Sequence, residues 1–170
     1  SVITSISFDH TRQLGNTLAQ IAGEKAGIIK PGVPVINGVR EDEPREVIDA
    51  RCAELSSPLH QIGRDFDFEY QAPSAESSLL SPPVTRFDYQ AQSQQLSPDF
   101  SNLSVNLLGR HQAANAAVAV ATLAELRSQG WGLDESAIRA GLANTHLPGR
   151  VEVVGNRPLT VIDAAHNVAS

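Results

Sequence analysis

"SISFDHTRQLGNTLAQIAGEKAGIIKPG", Ser5 to Gly32, packs a strand end, a capped helix and a turn into one short run. Thr17 followed three residues later by Gln20 fits a capping box, which predicts a helix from Thr17 to Lys25. Leu18, Ile21, Ala22 and Lys25 fall at i, i+3, i+4 and i+7, one stripe that should face a core. Gly27 is placed as the C-cap. A lysine at the fourth stripe position either snorkels past the helix end or is held inside for a chemical reason.

Outward from this helix the pattern repeats. Ser1–Ser7 is rich in Val, Ile, Thr and Ser and reads as a strand. After the turn "KPGVP", Val33–Val39 reads as a second, short strand. Asp42 or Glu43, just before Pro44, starts a helix that runs to about Leu55, with acids at the positive end of its dipole. Strand, helix, strand, helix is the rhythm of a parallel α/β sheet.

The middle changes character. Leu59–Gln71, Val84–Gln92 and Asn102–Leu108 read as antiparallel strands, and "APSAESSLLSPP" between the first two is a Pro/Ser-rich loop. "GRHQAANAAVAVATLAELRSQG" is a helix ending at Gly130, and its alanines (Ala113, Ala116, Ala117, Ala121, Ala124) allow close packing on a sheet. Asp134 caps a further helix to about Ala143. A domain boundary is placed near Leu147, and Val151–Val154 with Leu159–Asp163 form a hairpin across "GNRP".

Bulk properties narrow the function. The chain has 170 residues, 41% of them hydrophobic, and a formal net charge of -6. An acidic chain lacks the basic face that nucleic acid or an anionic membrane would need. No apolar run approaches the roughly 20 residues that span a bilayer, and no signal-peptide pattern opens the chain. The single cysteine, Cys52, lies in a helical pattern with Val47, Ile48 and Leu55, reads as a small buried hydrophobe, and fits a reducing cytoplasm. The chain opens on a strand-like run and closes just after another, so a piece of a longer protein is expected.

Several residues could carry chemistry. His10 follows the first strand, where ligands bind in parallel α/β sheets, and could offer an imidazole to a metal or simply cap a turn. Lys25, if buried as the neutral amine, could add carbon dioxide and become an anionic carbamate beside a metal. Asn115 lies four residues after His111, on the same helical face, near a helix start that can receive an anion or a base edge. Asp163 ends a strand, with His166 and Asn167 following and Arg150 on the preceding turn. These groups could grip a nucleotide's ribose and phosphates, or Arg150 could pair with a nearby acid. A Walker A element, G-x-x-x-x-G-K-S/T, does not occur, "GEKAG" at Gly23 being the nearest approach, and no G-x-G-x-x-G occurs either.

"TSISFDHTRQLGNTLAQIAGEKAGIIKPGVPVI", "LLGRHQAANAAVAVA", "LPGRVEVV" and "VIDAAHN" together resemble the folylpolyglutamate synthase/dihydrofolate synthase family of the Mur-ligase superfamily. Those segments cover about half the chain, in family order, and the block DHT…LG…EKAGI…KPG is specific to the folate branch. The resemblance implies an α/β fold: the second half of a Mur-ligase-type central ATPase domain over residues 1–146, then the first hairpin of a C-terminal domain over 147–170. It implies an ATP-dependent ligase that joins L-glutamate to folate or dihydropteroate through an acyl phosphate, with ATP and Mg2+, in the cytoplasm, as a monomer. By the same resemblance His10 is a magnesium ligand and Lys25 a carbamate near the metal. Asn115 contacts adenine, Arg150 reaches the ATP phosphates, and Asp163 and His166 hold the ribose and phosphate side.

Departures accompany the likeness. The family's phosphate-binding loop, folate-binding loop and acidic magnesium ligand would all precede Ser1, so these residues alone are expected to be inactive. Ala164 stands where many relatives have glycine. Two rivals remain at this point: another Mur-type amino-acid ligase, such as one acting on peptidoglycan precursors, and a non-catalytic α/β binding module.

Overall fold

The computed structural model describes residues 1–8, 15–72 and 84–165. They fall into two compact units, Ser1–Phe66 and Asp67–Ala165.

The first unit is a three-stranded parallel sheet with two helices. Its elements are β1 (Val2–Ile3), α1 (Leu18–Ala26), β2 (Val35–Asn37), α2 (Asp42–Glu54) and β3 (Leu59–Gln61). The strand order is β1-β2-β3, with Ile3 opposite Asn37 and Asn37 opposite Gln61. Strand β2 is shorter than the expected Val33–Val39. Pro34 has no N–H to give, and Asn37 Oδ1 accepts from Val39 N at 3.1 Å, which turns the chain out of the sheet. Strand β1 is correspondingly short, because its ladder ends where β2 ends; the last bond runs from Gly38 N to Ile3 O.

Helix α1 starts where the sequence placed it. Thr17 Oγ1 accepts from Gln20 N at 3.1 Å, and Gln20 Oε1 accepts in return from Asn16 N at 2.8 Å, one residue before the usual box partner. Gly27 is the C-cap but has φ −58°, so its glycine character is not required for a left-handed turn there. Ile21, Ala22 and Ala26 of α1 are buried with Ile48 and Cys52 of α2 and with Ile3, Ile6, Val35 and Val39, forming one core. Burial and the nearby Asp49 carboxylate push the Cys52 thiol up from its ordinary value, as suits an inert core cysteine.

The second unit follows within β4 (Phe66–Gln71) and continues through β5 (Thr85–Ala91), a 3-10 turn (Gln94–Leu96) and β6 (Phe100–Val105). These strands form a sheet of order β4-β5-β6, with β5 and β6 antiparallel. The expectation of one antiparallel strand over Leu59–Gln71 is corrected. Its first part is β3, paired parallel with β2, and its second part is β4. The break is a turn in which Gly63, at φ +79°, donates to Phe66 O at 2.7 Å and Asp65 Oδ2 accepts from Gln61 N at 2.7 Å.

Helix α3 (Arg110–Ser128) lies on β5, β6 and the 3-10 turn. Ala113, Ala116, Ala117, Ala121 and Ala124 are all buried, so the expected small-residue packing is present. Helix α4 (Glu135–Ala143) is capped by Asp134, whose Oδ1 accepts from Ala137 N at 2.7 Å, and it buries Ile138 and Leu142. Strands β7 (Glu152–Asn156) and β8 (Leu159–Ile162) form the expected antiparallel hairpin. Val153, Val154, Leu159, Val161 and Ile162 of this hairpin are exposed. No helix among the described residues is long and apolar enough to cross a membrane.

Candidate functional site

Lys25 lies in the last turn of α1, where a cation opposes the negative end of the helix dipole. Of the two alternatives its stripe position left open, the structure shows the outward one: Lys25 is exposed. Angularly it shares the apolar face, but it sits so near the helix end that its side chain runs outward along the apolar wall. The ammonium donates to Ser5 O at 3.3 Å. It lines a shallow cleft of about 180 Å³ with Val2, Ile3, Thr4, Ser5 and Ile28. Val2 and Ile3 are β1 itself, so the cleft runs along this strand to Thr4 and Ser5 just past its carboxyl end.

His10 and His166 lie outside the described residues. Among the described residues no three His, Cys, Asp or Glu side chains converge as a metal site.

A second group of side chains opens α3. Gly109, at φ +109°, leads into the helix, and its N–H donates to the buried Thr85 hydroxyl at 2.9 Å. A Cβ there would come within 2.8 Å of the His111 ring, so the imidazole is seated across the glycine. Gln112 is buried, and its Nε2 lies 3.1 Å from His111 Nε2. Asn115 Nδ2 donates to Gln112 Oε1 at 3.3 Å. Asn115 itself is exposed, and an amide there offers both the donor and the acceptor that a base edge needs. The Arg110 guanidinium lies over the Phe68 ring at 5.9 Å, tying the helix start to β4.

A third group lies where the "LPGR" turn meets the end of β8. Asp163 Oδ2 accepts from Val151 N at 3.1 Å and Oδ1 from Ala165 N at 2.7 Å, while Ala164 N donates to Gly149 O at 2.8 Å. Gly149 and Val151 have φ +69° and +51°. For a β-branched residue the latter is strained, and the Asp163 bond to its N–H holds it. Arg150 stands between these two residues, exposed and without an ion pair among the described residues.

The structure thus brings Arg150 and Asp163 to one turn and places Asn115 on α3 of the same unit. Lys25 belongs to the first unit. Two features escaped the sequence reading. Gln112 joins His111 to Asn115, and the i, i+3 spacing of "QAAN" was its signal. Asn37, fully buried at the end of the middle strand, leaves its Nδ2 without a partner among the described residues, and no pattern marked it.

No family model matches the chain. It is 38% identical to folylpolyglutamate synthase of Lacticaseibacillus casei over 168 residues, covering 98% of this chain and 37% of that protein. Dihydrofolate synthase/folylpolyglutamate synthase of Bacillus subtilis is 32% identical over 168 residues, with 98% and 36% covered. A solved folylpolyglutamate synthase complex with AMPPCP and folate superposes with a TM-score of 0.84 at 34% identity, covering 98% of this chain and 38% of that one. A parallel α/β unit followed by a small antiparallel sheet and an alanine-rich helix, matched to these structures, is a Mur-ligase-type fold. Within that class the relatives it matches, over 98% of its own length, are folylpolyglutamate synthases. It spans just over a third of the length of these curated relatives, 37% and 36%.

Proposed function

We propose that this chain is the part of an ATP-dependent ligase that adds L-glutamate to folate or dihydropteroate. The observation that carries the reading is the end-to-end likeness, 98% of the chain at TM-score 0.84, to an enzyme holding folate and an ATP analogue. The acceptor carboxylate takes the γ-phosphoryl group of ATP, releasing ADP. The glutamate nitrogen then attacks the acyl carbon, a C–N bond forms, the C–O bond to phosphate breaks, and the amine loses a proton.

The chain's own residues serve binding and charge. Asn115 offers its amide to the adenine edge. Arg150 presents a planar guanidinium to the phosphates, where charge develops during transfer. Asp163, fixed by Val151 and Ala165 N–H bonds, keeps lone pairs for ribose hydroxyls, with His166 beside it in sequence. Lys25, as the free amine, adds to carbon dioxide with loss of a proton and becomes a carbamate. That carbamate and His10 would hold magnesium, which when bound supplies neutralisation of phosphate charge. The same reading divides the chain at 146/147, which suits the exposed apolar hairpin, and describes a cytoplasmic monomer.

The test is ATP-dependent transfer of labelled glutamate by the intact protein that carries this chain. Transfer to folate or dihydropteroate, lost by at least about a hundredfold in Arg150→Ala, is the expected result. The 170-residue chain alone should give none. Transfer only to a UDP-linked peptide precursor would make it another Mur-type ligase, and no ligation at all would leave a binding module.

A further inference from the structure

Gln112 is almost wholly buried, 5% exposed, and its amide bonds to two side chains of its own helix. Both its ends are used along the helix surface. Its Nε2 can only donate, so the contact with His111 at 3.1 Å makes His111 Nε2 the acceptor. Its Oε1 can only accept, and Asn115 Nδ2 supplies the hydrogen at 3.3 Å. With the amides placed this way round, the three side chains run in sequence from His111 through Gln112 to Asn115. The run begins at an imidazole seated on Gly109, where no Cβ fits, and ends at Asn115. One hydrogen of Asn115 Nδ2 is committed to Gln112. Asn115 Oδ1 and the second Nδ2 hydrogen have no partner among the described residues and are exposed.

We infer that Gln112 is a positioning residue that locks the Asn115 amide with Oδ1 outward, and so selects a 6-amino purine over a 6-oxo purine. The inference rests on the reading of Asn115 as the adenine contact. Adenine offers an exocyclic N–H to Oδ1 and a ring nitrogen to the free Nδ2 hydrogen. Hypoxanthine offers an oxygen in place of the amino group. Against a locked Oδ1, two acceptors would face each other unless the amide turned over, and turning over breaks the bond to the buried Gln112 oxygen. Without Gln112 the amide rotates freely and reads either base.

The experiment is equilibrium binding of ATP and of ITP to the intact protein carrying this chain, by calorimetry, without folate or glutamate. The wild type should prefer ATP by about tenfold or more. Gln112→Leu should bring the preference to within about twofold, and Gln112→Met, close to glutamine in volume, serves as the second variant should the leucine protein not fold. Gln112→Glu keeps an acceptor for Asn115 and should keep the preference, a rescue that a merely structural role does not predict. Asn115→Ala should weaken ATP and erase the preference. A preference unchanged in Gln112→Leu or Gln112→Met but lost in Asn115→Ala overturns the positioning role and leaves the adenine reading standing. A preference unchanged in Asn115→Ala overturns both.

Discussion

Lys25 illustrates how much one side chain's meaning depends on its depth along a helix. Its angular position matched the apolar stripe, and its place in the last turn let the ammonium reach Ser5 O in the cleft along β1. A carbamate there would form on an accessible amine rather than on a buried one. In buffer with ¹³C-bicarbonate, the intact protein should show a carbamate carbon resonance that is absent in Lys25→Arg. A spectrum identical for the two proteins would remove the carbamate. The stripe, the cap and the turn glycine were legible because they are local. The sequence left open whether the lysine emerges or stays inside; the length of the strands was not legible, because Asn37 ends β2 through a side-chain bond that no period encodes. Asn115 was legible as a helix-face polar residue, whereas the buried Gln112 that aims it looked like one more polar position on that helix.

At the level of elements, helices were read well and strands less well, for a physical reason. Caps and periodicity lie within a few residues, so α1, α3 and α4 fall where Thr17, Gly109 and Asp134 start them. Strand pairing is settled by distant partners, which is why β3 joined β2 in a parallel sheet instead of continuing into β4. The Asp134 cap gives a pH test. The Ala137 N–H and the Ser136 hydroxyl hold its carboxyl below the usual carboxylate range. The unfolded carboxyl thus takes up its proton first as pH falls. The stabilisation is present above the ordinary carboxylate value, about 3.9, and is lost as pH drops through the lower native value. Asp134→Ala should unfold at lower urea than wild type at pH 6, and the gap should close toward strong acid. A gap that widens in acid would contradict this account of the cap.

Across the whole molecule, Lys25 belongs to the first compact unit and Asn115, Arg150 and Asp163 to the second. The fold class was legible from the alternation of strand and helix and from the family likeness. The hairpin's exposed apolar residues were legible only as a hairpin, because exposure depends on what packs against it. An isolated two-stranded hairpin is marginal in water. What unites these parts is the claim that the intact protein activates a carboxylate by phosphorylation before glutamate attacks. The direct measurement uses an acceptor, folate or dihydropteroate, whose reacting carboxylate carries ¹⁸O on both oxygens, with ATP, glutamate and mass analysis of the released phosphate. The account predicts one ¹⁸O atom in each phosphate formed with product, because the oxygen that took the phosphoryl group leaves with it. Product formed with unlabelled phosphate, or with the label in AMP, would contradict it.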